Sequence, residues 1–389
     1  NQFFLFLGFA FIRLPPIYLI PINNPLFTSH SIARYFIVII FINTLFHSYN
    51  YDKKIPIPKV LSLLLLFFFF TQSASIIHSV HIDAFLFDYK NIVFSVIIFF
   101  ISYNILDRKN IKTLIWIFIV TAVLNLLFEY ITYFFPHIIY SYFQPFLYEK
   151  YWESLNFQIQ RQRFFPEIFD EMLIPLLFYY SYMQKKQIKK LLGITTVIGV
   201  VTFSIISNWR IRLVMMIFSL IIAFKMYFKE SKKLSIMIFS LVIFFSVIGY
   251  IVSINLIGFN SIDRFLLPSK QDITNITGRF ENLVESVYVS TSSPFVGIGL
   301  GQYDDYVPEI GRISFTNNNR ISSKNLQIGY YPHNIFFNIL TTSGFLGLFS
   351  YSLLILYFLK NDFINMNKRS LLFKSFIISF WTLFLLSNT

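Results

Sequence analysis

Long apolar runs separated by shorter polar links are the dominant pattern along this chain. A helix of about 20 predominantly apolar residues is long enough to cross the hydrocarbon core of a bilayer. The pattern therefore predicts an all-α, polytopic transmembrane helix bundle with about eleven spans. The run at 2–20 is interrupted by Arg13, Pro15 and Pro16. The predicted spans are residues 2–20, 32–49, 60–80, 91–106, 111–135, 168–183, 191–207, 211–228, 234–257, 335–359 and 370–386.

The links between these runs alternate in charge, and the alternation predicts an orientation. Every second link is rich in lysine, and such links normally stay in the cytoplasm. This places the N-terminus inside and puts two long links, 136–167 and 258–331, on the outer side. The basic links contain Lys53, Lys54 and Lys59; Arg108, Lys109 and Lys112; Lys185, Lys186, Lys189 and Lys190; Lys229, Lys232 and Lys233; Lys360, Lys368 and Arg369.

The two long outer links are far longer than a helical hairpin requires. Connections of this length are usually functional or contain small helices of their own. Neither link is apolar enough to form a separate domain. We therefore expect residues 1–389 to form a single integral membrane domain, with both links packed over its outer face.

Composition supports a membrane protein and excludes other classes. The 389 residues are 56% hydrophobic, 20% aromatic and only 13% charged, which is more apolar surface than a soluble domain could bury. With no cysteine, the chain has neither disulfides nor thiolate metal ligands. The net charge of +13 is explained by topology-setting lysines, so it does not indicate a nucleic-acid partner.

The predicted outer face carries arginine where the inner face carries lysine. Topology requires only charge, whereas the planar fork of arginine binds phosphate oxygens in a bidentate manner. This bias indicates an anionic ligand carried by the membrane. For Arg264, Arg312 and Arg320 we favour solvated loop charges. The remaining outer arginines are Arg34, Arg161, Arg163, Arg210, Arg212 and Arg279, against the outer lysines Lys90, Lys150, Lys270 and Lys324.

Arg210 and Arg212 lie in a very short link between two predicted spans. Cations near membrane depth are costly unless they are paired or face a polar cavity, and the alternative is that they extend to lipid headgroups. A second arginine pair, Arg161 and Arg163, precedes Glu167 and a span that opens with Asp170 and Glu171. These two acids could pair with the arginines or prepare an acceptor hydroxyl. For each acid alone, an ordinary ion pair is the simpler interpretation.

The triplet Pro332-His333-Asn334 stands where the second long link meets an apolar run. Proline suits a first helical position, so we predict a helix beginning at Pro332 with His333 and Asn334 in its first turn. A helix N-terminus disfavours protonated imidazole, and neutral imidazole can accept a proton. The alternative is a plain interfacial helix start. Further along this run, Gly344 and Gly347 are three residues apart and should share a face suited to close helix packing.

Two other motifs have a functional and a structural interpretation. Gly297, Gly299 and Gly301 alternate in the second long link. Their N–H groups could bind a phosphate, or the segment could be an irregular re-entrant hairpin. His78, His81 and Asp83 could nominally bind a metal ion, but no further strong ligand is near in sequence, so we expect no metal.

Taken together, several of these motifs resemble the signature of the bacterial O-antigen polymerase and O-antigen ligase superfamily. The order and spacing agree over roughly the second half of the chain, whereas the first half agrees only in hydropathy. The motifs are Thr277-Gly278-Arg279, Ser293-Pro294 with Gly297-Ile298-Gly299-Leu300-Gly301, and Pro332-His333-Asn334 with Gly344-Phe345-Leu346-Gly347-Leu348.

The resemblance implies a GT-C-like membrane glycosyltransferase, with its active site facing outward from the bacterial cytoplasmic membrane. It implies an undecaprenyl-diphosphate-linked glycan donor, a glycan acceptor, surrounding lipid and a chain-length regulator as a candidate partner, without cofactor, metal or nucleic acid. The catalytic groups would be Arg210, with Arg212 as the competing choice, Arg279 and His333. Trp209 departs from the family, which has a small hydroxyl residue there. The implied substrate-binding residues are Arg212, Arg161, Arg163, Glu167 and Asn334.

Four functional interpretations of the sequence can be compared. A polymerase and a ligase of this superfamily differ in the acceptor, which is either another lipid-linked repeat unit or lipid A core. Two long outer links favour a polymerase, because two glycan chains must be held at once. A flippase for the same glycan should place charges at mid-membrane depth in several helices, and here the charges gather at the outer rim. A channel or scaffold would leave the arginine bias unexplained.

Overall fold

The computed structural model describes most of the chain in helices joined by turns. The described segments contain no β-strand, in agreement with the predicted all-α class. They comprise residues 7–8, 10, 15, 28–50, 57–105, 108–161, 170–183, 187–207, 210–228, 232–257, 281–303, 306, 334–364, 366 and 370–387.

Twelve helices of ten residues or more lie within these segments. They are α1 (Ser29–Asn50), α2 (Lys59–Ala74), α3 (Ile82–Ile105), α4 (Arg108–Phe134), α5 (Glu149–Arg161), α6 (Ile174–Met183), α7 (Gln187–Ile206), α8 (Arg210–Tyr227), α9 (Lys232–Ile257), α10 (281–290), α11 (Ile335–Ile364) and α12 (Leu371–Ser387).

Five stretches of the described chain are long and apolar enough to cross a membrane: Lys59–His78, Ile82–Ile101, Thr113–Phe134, Ser235–Val252 and Ile335–Ile364. Their outward side chains are apolar, as Leu63 at 66% and Phe70 at 70% exposure show. Such side chains are stable when the surrounding solvent is lipid. The membrane character predicted from sequence is therefore confirmed. The total of about eleven spans stays a prediction, and most of the first predicted run lies outside the described residues.

The described helices divide between two compact units, and the first contains Asn1–Tyr51, Ile105–Leu267 and Arg369–Leu386. Its core is formed by α4, α6, α7, α8 and α9, with buried side chains such as Ile119, Leu177 and Val201. Gly199 lets α7 approach Leu126 of α4, because a Cβ there would overlap that side chain. Small residues at such contacts are typical of membrane helix packing.

The first long link, 136–167, contains structure of its own over its described part. Three short helical turns, Pro136–Ile138, Ile139–Phe143 and Gln144–Phe146, lead into α5. Ile139, Leu147 and Leu155 form a small core that also contacts Phe128 and Ile131 near the end of α4. The expectation of small helices in this link is confirmed for residues 136–161.

The second unit contains Asp52–Asn104, Pro268–Lys368 and Ser387–Thr389. In it α2 packs along α11, and polar side chains join the two helices. Ser343 donates a hydrogen bond to Gln72 Oε1 at 2.7 Å, and the hydroxyls of Thr71 and Ser350 are 2.9 Å apart. Hydrogen bonds between helices add to packing where no water is available.

Candidate functional site

The side chain of Arg212 is the centre of a buried ionic cluster in the first unit. Arg212 is the third residue of α8 and is 0% exposed. Its Nη1 and Nη2 donate to the two oxygens of Glu129 at 3.0 and 3.1 Å, and its Nε donates to Glu171 Oε1 at 2.5 Å. All three guanidinium nitrogens therefore have a carboxylate acceptor, which is the arrangement that a buried arginine needs.

Neighbouring helices support this cluster from the sides. Ser204 of α7 donates its hydroxyl proton to Glu171 Oε1 at 2.9 Å, and the ring of Phe203 lies 4.8 Å from the Arg212 guanidinium carbon. Ser204 and Glu171 are both fully buried. The cluster joins the end of α4, the turn before α6, the end of α7 and the start of α8. The predicted topology puts all four of these helix ends at the outer face.

The sequence predicted part of this cluster. It predicted that an arginine in the 207–212 link would be paired or face a polar cavity, and Arg212 is paired. It offered Glu171 as a partner for Arg161 and Arg163 and favoured an ordinary ion pair for it, and the ion pair that the structure shows is with Arg212. Glu129 was missed, although a single acid inside the apolar run 111–135 was the signal available. Asp170 is buried at 2% exposure.

The other predicted residues of the first unit are only partly placed. Arg210 is the first residue of α8 and Arg161 is the last residue of α5, but the side chains of both lie outside the described part of the structure. Arg163 and Glu167 lie outside the described residues altogether. Their predicted roles in binding substrate stay predictions.

In the second unit, residues 291–303 form a loop, called the glycine loop, that is packed against a break in α11. Gly344 has φ 65° and ψ −168°, which interrupts the helix. The loop replaces the two helical hydrogen bonds that the break removes. Phe345 and Leu346 donate to the carbonyls of Pro294 and Phe295 at 2.8 and 3.2 Å. The carbonyls of Thr341 and Thr342 in turn accept from Ile298 and Gly299 at 2.9 and 3.0 Å.

Glycine is required in this loop because backbones approach closely. A Cβ at Gly344 would overlap the backbone of Phe295, and a Cβ at Gly297 would overlap the backbone joining Thr342 to Ser343. On the other side of the loop, a Cβ at Gly299 would overlap Ser79. The alternating glycines thus fit between α11 and the connection from α2 to α3.

These contacts decide how the alternating glycines are used. The N–H of Gly297 donates to Ser293 at 2.9 Å and that of Gly299 to Thr342, so neither is available for a phosphate as structured. The phosphate-loop interpretation is wrong for these two residues, and the alternative of an irregular hairpin is favoured. The predicted pairing of Gly344 and Gly347 on one helical face is also wrong, because Gly344 is not helical.

Two further contacts hold the ends of the glycine loop. The buried side chain of Gln302 accepts from the His81 N–H and donates to the His81 carbonyl, both at 2.8 Å. The Tyr303 hydroxyl donates to Glu285 of α10 at 3.2 Å. The segment with His78, His81 and Asp83 is thus a docking partner of the loop. Among the described residues, no group of three histidine or acidic side chains could hold a metal ion.

Asn334 marks the beginning of α11. Its Oδ1 accepts from the N–H groups of Phe336 and Phe337 at 2.9 and 3.4 Å, so it is the N-cap of a helix that begins at Ile335. The prediction that Asn334 lies in the first helical turn, after a start at Pro332, is wrong. Asparagine is a strong N-cap because its side chain satisfies otherwise free N–H groups. Arg279 and His333 lie outside the described residues.

Comparison with known proteins supports the resemblance stated from the motifs. A family model described as O-antigen ligase matches residues 194–352, a segment from α7 to the middle of α11. No curated protein and no solved structure gives a significant match. The matched segment contains Arg210, Arg279 and His333 together with the glycine loop. Over these residues, the similarity of the chain to the O-antigen polymerase and ligase superfamily is confirmed.

Proposed function

We propose that this chain is a membrane glycosyltransferase that polymerises undecaprenyl-diphosphate-linked repeat units at the outer face of the bacterial cytoplasmic membrane. The observation that carries the proposal is where the three predicted catalytic residues stand, all within the family match. Arg210 begins α8 and His333 directly precedes the N-cap of α11, whereas Arg279 lies outside the described residues. Helix N-termini favour anions, so the positions of Arg210 and His333 suit a diphosphate.

The chemistry follows from the leaving group. A diphosphate departs readily once its charge is stabilised, and the guanidinium groups of Arg210 and Arg279 supply that stabilisation. His333, kept neutral beside a helix N-terminus, removes the proton from the incoming sugar hydroxyl. The hydroxyl oxygen attacks the anomeric carbon as the bond between that carbon and the diphosphate oxygen breaks. Because attack and departure take place on opposite sides of the carbon, the configuration inverts. No metal ion is needed in this scheme.

The assignment is tested with the purified chain in lipid nanodiscs and undecaprenyl-diphosphate-linked repeat units. We expect His333→Ala and Arg279→Ala to lose about 100-fold or more in chain extension, because removing one group that stabilises developing charge or moves a proton typically costs this much. Arg320→Ala, an outer arginine interpreted as a loop charge, serves as the control and should extend normally. Wild-type rates in both of the first two variants would disprove the assignment.

A ligase is the second candidate, because the matching family is described as O-antigen ligase. The same assay with lipid A core added distinguishes the two acceptors. A ladder of lipid-linked products indicates a polymerase, whereas a single transfer to lipid A core indicates a ligase. Translocation of the lipid-linked glycan without either product would instead support a flippase.

A further inference from the structure

We propose that Glu129, Glu171 and Arg212 are positioning residues that fix the first turn of α8, and with it Arg210, rather than residues that contact substrate. This proposal rests on the proposed glycosyltransferase function. It also separates Arg210 from Arg212, which the sequence left as competing choices.

The geometry around Arg212 leaves little opportunity to bind a diphosphate. Its two terminal nitrogens face the two oxygens of Glu129, and its Nε faces Glu171. A phosphate would have to displace one of these carboxylates from a guanidinium that is 0% exposed. The displaced carboxylate would then be left buried without its counter-charge, which is strongly unfavourable.

The same contacts attach α8 to three other elements near its beginning. Through Glu129 it is joined to α4, through Glu171 to the turn before α6, and Ser204 of α7 holds the Glu171 carboxylate. The first turn of a helix lacks part of its own hydrogen bonding, so its position depends on such contacts. Arg210 and Arg212 are two residues apart in the same helix, where each residue advances the axis by about 1.5 Å. A small shift of the backbone at Arg212 therefore also moves the backbone of Arg210.

The cluster is also unusual in charge, with two carboxylates around one guanidinium. Removing Arg212 alone would leave two acids, the buried Glu171 and the partly buried Glu129, close together without their counter-charge. Neutralising all three side chains together would remove both the attraction and the repulsion. A buried ion network can often be replaced as a unit with little loss, whereas removing one member is costly. This difference allows a positioning role to be tested apart from a chemical one.

The first experiment measures initial rates of chain extension against donor concentration in lipid nanodiscs. We expect Arg212→Met to lose about 100-fold, mainly in kcat, because a catalytic group misplaced by about 1 Å has this effect. The triple variant Glu129→Gln/Glu171→Gln/Arg212→Met should regain much of that loss. Glu153→Gln, an exposed acid on α5, is the matched control. A folded triple variant as inactive as Arg212→Met, with a raised KM for the donor, would overturn the proposal. So would a folded Arg212→Met protein with normal kcat.

The second experiment does not depend on activity. The chain contains no cysteine, so Arg210→Cys introduces a single thiol. Its alkylation rate with a membrane-impermeant maleimide is compared between the Arg212 and Arg212→Met backgrounds. We expect the rate to change in the second background and to return towards the first in the triple background. Equal rates throughout would overturn the positioning role. If the wild-type chain neither extends nor transfers glycan, the proposed function fails, and the labelling result still decides whether Arg212 positions residue 210.

Discussion

The ionic cluster around Arg212 and the glycine loop at Gly344 solve the same problem by different means. In the first, charged side chains from three elements pair with one another, and a serine hydroxyl from a fourth element donates to one of the carboxylates. In the second, a break in a membrane helix exposes four backbone groups, and a loop satisfies each of them with its own backbone. Polar groups in an apolar setting must be paired in either case. The first solution depends on residue charge and the second on the absence of side chains.

This difference implies that the two regions should respond to different substitutions. The ionic cluster should be sensitive to loss of charge and tolerant of small changes in side-chain size. The glycine loop should be indifferent to charge and intolerant of a single added methyl group. The free energy of unfolding of variants of the purified chain shows whether the two regions differ in this way.

The largest expected effect is on the ionic cluster. Arg212→Met should lower the free energy of unfolding by about 3–5 kcal/mol, because it leaves the buried Glu171 and the partly buried Glu129 without their partner. Denaturant unfolding in detergent micelles measures this loss. Arg212→Lys keeps the charge but cannot replace the bidentate pair with Glu129, so its loss should be smaller. Equal stability of Arg212→Met and wild type would mean that the cluster does not hold the helices together.

The glycine loop should show the next largest effect. Gly344→Ala forces a backbone conformation that only glycine adopts freely, and this strain alone costs about 1–3 kcal/mol. The added Cβ also overlaps Phe295. Gly249→Ala is the control for an added methyl group without backbone strain, because Gly249 is helical and its Cβ would press on a side chain, the methyl group of Thr202 at 3.0 Å, and not on backbone. If both variants unfold at the same denaturant concentration, the loop does not depend on the break at Gly344.

The sequence predicted some features of these two regions and missed others. The positions of the apolar helices were predictable, since bilayer thickness dictates their length. The need for a partner at Arg212 was also predictable, because an unpaired charge is costly wherever it is buried. The partner Glu129 was not predicted, since no local rule says which distant helix end meets α8. The predicted span that corresponds to α3 began too late, at residue 91, whereas the helix begins at Ile82. Asp83 and Asp88 interrupt the apolar pattern in its first turns.

The glycine loop was predictable only as a choice between two interpretations. Alternating glycines are compatible with phosphate binding and with close backbone packing, and the sequence does not show what lies opposite them. The decision depended on Thr341 and Thr342 in α11, which are distant in sequence from the loop. Long-range backbone pairing has no residue signature of its own. The segment was therefore identifiable from the sequence, but the choice between its two interpretations was not.

The smallest expected effect is at Asn334, where one side chain caps one helix. Asn334→Ala should lower the free energy of unfolding by about 0.5–2 kcal/mol, whereas Asn334→Asp keeps the cap acceptor and should be nearly neutral. Chain extension separates this structural role from the predicted substrate contact. If Asn334 acts only as a cap, Asn334→Asp should extend at the wild-type rate. A folded Asn334→Asp protein with a raised KM for donor or acceptor would show that the amide itself contacts substrate. Asn334 would then have two roles, because its side chain would contact substrate and also cap the backbone at the start of α11.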